Sequence, residues 1–81
     1  MYYIKLKENN KYFIIDRTLD YNKAKLAFEG TLMGLRYVCK NSIKKETIRN
    51  DYAKLECTDA RRVLYIERIK DENKISKKGL Y

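Results

Sequence analysis

The 81-residue sequence contains no histidine, no proline and no tryptophan, and it has only two cysteines and three glycines. Without histidine, the chain lacks the commonest general base and the commonest metal ligand. It also has no glycine-rich phosphate-binding loop and no Gly-x-Ser-x-Gly nucleophile elbow. Because these absences remove most routes to catalysis, we expect a protein that is not an enzyme and that uses no cofactor or metal.

Carboxylate chemistry remains possible in principle. Asp51, Glu56 and Glu67, with Lys54 or Lys70, lie at spacings similar to the Asp…Glu-x-Lys pattern of some metal-dependent nucleases. The Glu-x-Lys step is not matched. Acidic residues that alternate with lysines are also the ordinary pattern of a solvated strand, so the expectation of a non-enzyme stands.

Cys39 and Cys57 stand alone, without Cys-x-x-Cys spacing. A structural zinc ion needs four ligands that this sequence does not offer. We predict two reduced, partly buried thiols, with a Cys39–Cys57 disulfide as the alternative.

Long hydrophobic runs are absent too. No stretch of about 18 apolar residues exists, and the first residues lack the apolar core and cleavage site of a signal peptide. We therefore expect a cytoplasmic protein without a membrane partner. A chain of this length, 44% hydrophobic and 37% charged, predicts one globular domain over residues 1–81.

The net charge is +8, and residues 21–50 alone carry seven basic and two acidic side chains. Lysine, isoleucine, asparagine and tyrosine are abundant, as in proteins from AT-rich phage or mobile-element genomes.

Asn9-Asn10 separates two segments in which apolar and polar residues alternate. Asparagine tolerates the positive φ of a tight turn, so the pattern predicts a hairpin with strands at about 2–7 and 11–16.

The hairpin register follows from this turn. It places Leu6 opposite Phe13 and Ile4 opposite Ile15 on one face. The other face collects Tyr3, Lys5, Lys7, Tyr12, Ile14 and Asp16.

Asp20 offers an N-cap oxygen for a helix at about 21–39, with Thr18 as the competing cap. Residues at spacings of three and four predict a core-facing stripe that comprises Ala24, Ala27, Phe28, Thr31, Leu35 and Val38. A second apolar stripe comprises Leu26, Met33 and Tyr37.

Two apolar stripes require cover on two sides of the helix. We expect either that residues 52–69 fold over the second stripe or that two chains pair there as a homodimer. Gly30 and Gly34 lie one turn apart and are expected to allow close backbone packing.

Residues 40–50 are polar and basic and predict a loop or a short irregular helix. Alternation predicts a strand at about 52–58, although helical spacing of Ile48, Tyr52 and Leu55 leaves a helix open. Residues 63–69 are rich in β-branched and aromatic side chains and predict a strand.

A helix capped by Thr58-Asp59 is the alternative for residues 63–69. The charged tail from about residue 71 is expected to fray unless Leu80 and Tyr81 dock. The resulting fold class is α+β, with the order ββαββ and one main helix on a small, mostly antiparallel sheet.

Basic residues cluster where the predicted helix ends and the following segment begins. The cluster comprises Arg36, Lys40, Lys44, Lys45 and Arg49. Some of these cations suit the negative end of the helix dipole. Since only Glu46 opposes them, the cluster also favours phosphate contacts.

The outer face of the hairpin offers a second basic surface, in which Lys5, Lys7 and Lys11 lie beside Tyr3 and Tyr12. Tyrosines interleaved with lysines can stack the bases of a single strand and neutralise its backbone. The alternative is that later strands simply cover this face.

Arg61 and Arg62, at a predicted turn, can join either basic surface. The sequence therefore favours a small basic accessory protein that binds DNA or RNA, and its composition suits a phage or mobile-element origin. The alternative is a small interaction or inhibitor protein that binds an acidic surface of a larger protein.

Overall fold

The computed structural model describes residues 1–69. Its elements in chain order are β1 (Tyr2–Glu8), β2 (Lys11–Thr18), α1 (Tyr21–Val38), β3 (Ile43–Arg49), β4 (Tyr52–Cys57) and β5 (Arg61–Arg68). The α+β class is confirmed. The order is ββαβββ rather than ββαββ, because three strands follow the helix. The predicted C-terminal tail, with Leu80 and Tyr81, lies outside the described residues.

The strands form one antiparallel sheet in the order β2-β1-β5-β4-β3. Two hairpins, β1–β2 and β3–β4, are joined through β5 in the centre. On the face toward α1, Ile4 pairs with Ile66, and Leu64 pairs with both Leu6 and Ala53. The central strands therefore carry the apolar floor on which the helix packs.

The predicted loop at 40–50 is wrong over most of its length, since residues 43–49 form β3. A register shift between Ile43 and Lys45 makes Lys44 an extra residue, which hides the alternation of the strand. β3 also lies at the sheet edge, where lysines are common because they discourage pairing with other chains. Polar composition was therefore a poor guide to its conformation.

The hairpin forms as predicted, with Asn9 at a φ of 56° and Leu6 opposite Phe13. The pairing of Ile4 with Ile15 is wrong. A bulge in β2 places Asp16 opposite Ile4, so Ile15 becomes the extra residue.

Helix α1 begins as predicted at Asp20, whose carboxylate accepts a hydrogen bond from the Asn22 amide at 2.8 Å. Thr18 instead accepts a bond from the Asp20 amide at 3.2 Å. The core is a single apolar cluster that comprises Ile4, Ala24, Phe28, Leu32, Ala53, Leu55 and Leu64.

Three residues that the pattern places in the core are exposed: Phe13 (43%), Ile15 (42%) and Val38 (78%). The helix ends beside β3, where the Ile43 amide donates to the carbonyl of Cys39 at 3.1 Å. Helix α1 approaches β2 as well as β1 and β5, yet residues 11–17 are all exposed, so the helix leaves most of β2 uncovered.

The second apolar stripe is not covered by residues 52–69, which lie in the sheet instead. Leu26, Met33 and Tyr37 are each at least 70% exposed. The expected close packing at Gly30 and Gly34 is not found within residues 1–69, where an added Cβ at either position meets nothing within 4 Å.

Cys39 is buried, Cys57 is half-buried, and both are free thiols. Burial raises the pKa of the Cys39 thiol. In the part of the chain that the structure describes, no helix is both long and apolar enough to cross a membrane.

Candidate functional site

The sheet has one covered face and one open face. Helix α1 covers one side, and we call the opposite side the open face. Because successive side chains of a strand point to opposite sides, the register assigns each residue to one of them. No described side chain on the open face is buried.

Two rows of side chains cross the open face of all five strands. The first row runs from β2 to β3 through Tyr12, Lys7, Val63, Lys54 and Thr47. The next row runs through Ile14, Lys5, Tyr65, Tyr52 and Arg49. In this second row two neighbouring tyrosines lie between two cations.

Every strand contributes at least one cation to the open face. These cations are Lys5, Lys7, Arg17, Lys45, Arg49, Lys54 and Arg61. The tyrosines on the same face are Tyr3, Tyr12, Tyr52 and Tyr65.

The two carboxylates of this face are already neutralised by neighbouring lysines. Lys5 Nζ lies 2.5 Å from Glu67 Oε1, and Lys54 Nζ lies 3.7 Å from Glu56 Oε2. The hydrogen bond that Lys5 donates to Glu67 raises the pKa of Lys5, so this lysine stays charged. The surplus charge of the face is therefore positive.

Five open-face cations have no carboxylate partner within residues 1–69: Lys7, Arg17, Lys45, Arg49 and Arg61. Lys7 Nζ lies over the Tyr12 ring, 5.3 Å from its centroid.

Two depressions mark this surface. Lys7, Asn9, Asn10, Arg61 and Val63 line the first, beside the hairpin turn. Thr47, Arg49, Tyr52 and Lys54 line the second, on β3 and β4. Each depression presents cations together with neutral hydrogen-bonding groups, which suits an anionic ligand.

The predicted cluster at residues 36–49 does not form one surface. Arg36 Nε donates to Glu46 on the helix side, at 3.2 Å. Lys40 lies over the Tyr37 ring, 5.6 Å from its centroid, and Lys44 sits at the bulge of β3. Only Lys45 and Arg49 reach the open face.

The predicted outer face of the hairpin does come together, since Tyr3, Lys5, Lys7 and Tyr12 all lie on the open face. Lys11 does not join them, because it pairs with Glu8 on the helix side. The bulge exchanges two further residues: Asp16 moves to the helix side, and Arg17 takes a place opposite Tyr3.

Arg61 and Arg62 face opposite sides. Arg61 lines the first depression. Arg62 is half-buried on the helix side, where it binds Glu8 at 2.8 Å and Asp59 at 3.2 Å. These partners hold the pKa of Arg62 above its ordinary value. The charge of Arg62 is therefore paired with carboxylates of the protein itself.

The sequence analysis missed Tyr52, Lys54 and Tyr65 as site residues. The signal was available, because the alternation that predicts the strand at 52–58 also turns Tyr52 and Lys54 away from Ala53 and Leu55. Their place beside Tyr65 depends on strand order, which the alternation does not reveal.

The carboxylates with nuclease-like spacing do not converge. Asp51 accepts a hydrogen bond from the Tyr21 hydroxyl at 2.6 Å beside the helix, whereas Glu56 and Glu67 lie on the open face. Across residues 1–69, no group of three or more aspartate, glutamate, cysteine or histidine side chains is placed to hold a metal ion.

Comparison with known proteins found no relative of this chain. No protein family, curated protein or solved structure matches the chain.

Proposed function

We propose that this protein is a small basic nucleic-acid-binding accessory protein, and that the nucleic acid lies across its open face. One observation supports the proposal: cations from all five strands share a face whose carboxylates are already paired with lysines. Clustered positive charge releases counterions when it meets phosphates, which drives binding without regard to sequence. The proposed role involves binding without catalysis, in the cytoplasm.

Direct binding tests this function. The purified protein should bind mixed-sequence DNA or RNA with a Kd of roughly 10⁻⁴ to 10⁻⁶ M or tighter at physiological salt. The logarithm of the affinity should fall linearly with the logarithm of the salt concentration. No binding at tens of micromolar protein in low salt contradicts the proposal.

Matched charge reversals test the surface. Lys7→Glu with Arg49→Glu removes two open-face cations that have no carboxylate partner among residues 1–69. Lys23→Glu with Lys40→Glu makes the same change in net charge at exposed sites outside the sheet. We expect the first pair to weaken binding and flatten the salt dependence far more than the second. Equal losses in both pairs would show that net charge, and not the open face, governs binding.

Docking on a larger protein is a second candidate function, favoured by a different observation. Apolar side chains are exposed on the outer surface of α1 and on edge strand β2, among them Leu26, Met33, Tyr12 and Ile14. An interaction or inhibitor protein would use such surfaces with an acidic partner. This function becomes the better one if the nucleic-acid binding assay is negative.

A further inference from the structure

The centre of the open face holds a pair of tyrosines surrounded by cations. Resting on the function proposed above, we infer that the ligand is single-stranded nucleic acid, with bases stacked on Tyr52 and Tyr65. The inference names the class of nucleic acid and the two residues that select it.

The strand register fixes the arrangement of this pair. Tyr52 and Tyr65 are directly opposite each other on β4 and β5, so their Cβ atoms are about 5 Å apart. Lys5 is the next residue along the row on one side, and Arg49 is the next on the other. Arg49, which has no carboxylate partner within residues 1–69, can meet a phosphate beside stacked bases, whereas Lys5 is already paired with Glu67.

Two more cations lie in the row of side chains next to the tyrosine pair. Lys54 and Lys7 occupy the neighbouring row, on the strands beside Val63. Tyr52 lines a depression together with Thr47, Arg49 and Lys54. Ring and cation are therefore presented together, as in proteins that stack bases while holding the backbone.

The form of the surface favours a single strand over a duplex. Base faces are available for stacking only when the bases are unpaired. Tyr52 and Tyr65 belong to regular strands and are half-exposed, so they offer ring surface to unpaired bases. A duplex would reach only the cations and would leave the tyrosines unused.

Helix α1 does not supply a groove-reading surface either. Its exposed side carries Leu26, Met33 and Tyr37, and of its cations only Lys23 has no carboxylate partner within residues 1–69. A recognition helix needs polar and basic side chains that reach base edges and phosphates. The sheet is therefore the better surface for a nucleic acid.

The test compares ligands of one sequence in different forms. Fluorescence anisotropy with oligomers of about 12 nucleotides, as single-stranded DNA, single-stranded RNA and the DNA duplex, gives three dissociation constants for the full chain. We expect one or both single strands to bind at least about tenfold more tightly than the duplex, and the two single-stranded arms show whether the sugar matters.

Variants then test the tyrosines. Tyr52→Ala and Tyr65→Ala should each weaken single-strand binding by about 5- to 150-fold and leave duplex binding and the slope of the salt dependence unchanged. Tyr37→Ala, on the exposed side of α1, is the control and should change nothing. Thermal melts show whether each variant is folded, and Tyr52→Leu and Tyr65→Leu replace any alanine variant that is not.

The outcomes separate this inference from the function on which it rests. Equal affinity for duplex and single strand, or tyrosine variants that match Tyr37→Ala, overturns the inference and leaves nucleic-acid binding intact. Absence of binding to every form overturns both.

Discussion

Tyr52 on β4 lies directly opposite Tyr65 on β5, on the sheet face that α1 leaves uncovered. If their rings act by stacking, the ring matters and the hydroxyl does not. Tyr52→Phe and Tyr65→Phe should therefore bind a single strand within about twofold of the parent protein, whereas leucine at either position should lose most of the stacking contribution. Anisotropy titrations measure both. A phenylalanine variant as weak as the leucine variant would assign the contact to the hydroxyl.

The stability of the domain depends on Phe28, which is only 2% exposed between α1 and the sheet. Phe28→Ala should cost about 3–5 kcal/mol, because it removes apolar contacts and leaves a cavity. Leu26→Ala, on the exposed side of the same helix, should change stability by less than about 0.5 kcal/mol. Urea unfolding followed by circular dichroism compares the two. Similar losses at both positions would contradict the packing of α1.

The glycines of α1 offer a stabilising change. An added methyl group at Gly30 or Gly34 enters open space, and alanine in a helix interior is favoured over glycine by about 1 kcal/mol. Gly30→Ala and Gly34→Ala should each raise the urea midpoint without changing the steepness of unfolding. A lower midpoint would show that something occupies the space beside the helix in solution.

The stability should also depend on pH through Asp59. Hydrogen bonds from Arg62 lower the pKa of Asp59 below its ordinary value of 3.8. Because the folded pKa is lower than the unfolded one, the stabilisation is complete above about pH 4 and is lost as the pH falls through the folded pKa. Asp59→Asn should therefore destabilise the protein at neutral pH, and this effect should shrink as the pH falls below about 4.

Urea titrations at several pH values measure this difference. Glu29→Gln is the control, because Glu29 is exposed on α1 and forms no ion pair within residues 1–69. A pH-independent difference between Asp59→Asn and the parent protein would contradict the assignment.

Local sequence signals predicted the elements that are defined by residues close together in the sequence. Asn9-Asn10 predicted the hairpin turn, and Asp20 predicted the start of α1. Alternation around Ala53 and Leu55 predicted β4. In each case the residues that define the element also stabilise it.

The errors have a common physical source in single extra residues. Lys44 in β3 and Ile15 in β2 each interrupt the alternation of a strand. One extra residue reverses the side to which every following side chain points. The sequence therefore predicted a loop or a short irregular helix in place of β3, and it misplaced Ile15 and Asp16.

The candidate site was only half predictable for a different reason. Tyr3, Lys5, Lys7 and Tyr12 follow from one hairpin, whose register can be counted from its turn. Tyr52 and Tyr65 join them only because β5 inserts between β1 and β4. Tertiary packing determines this strand order, and the spacing of residues within one strand carries no information about it.

The same insertion has a consequence for how the chain acquires its structure. Each outer hairpin closes between near neighbours, but Ile4 must find Ile66, roughly sixty residues further along. Non-local pairing of this kind slows folding, because the chain loses the entropy of closing a long loop before the stabilising contacts form. During synthesis β5, which pairs with β1, emerges after all the other strands. A chain ended after β4 should leave two separate hairpins without a shared core, and not a smaller version of the domain.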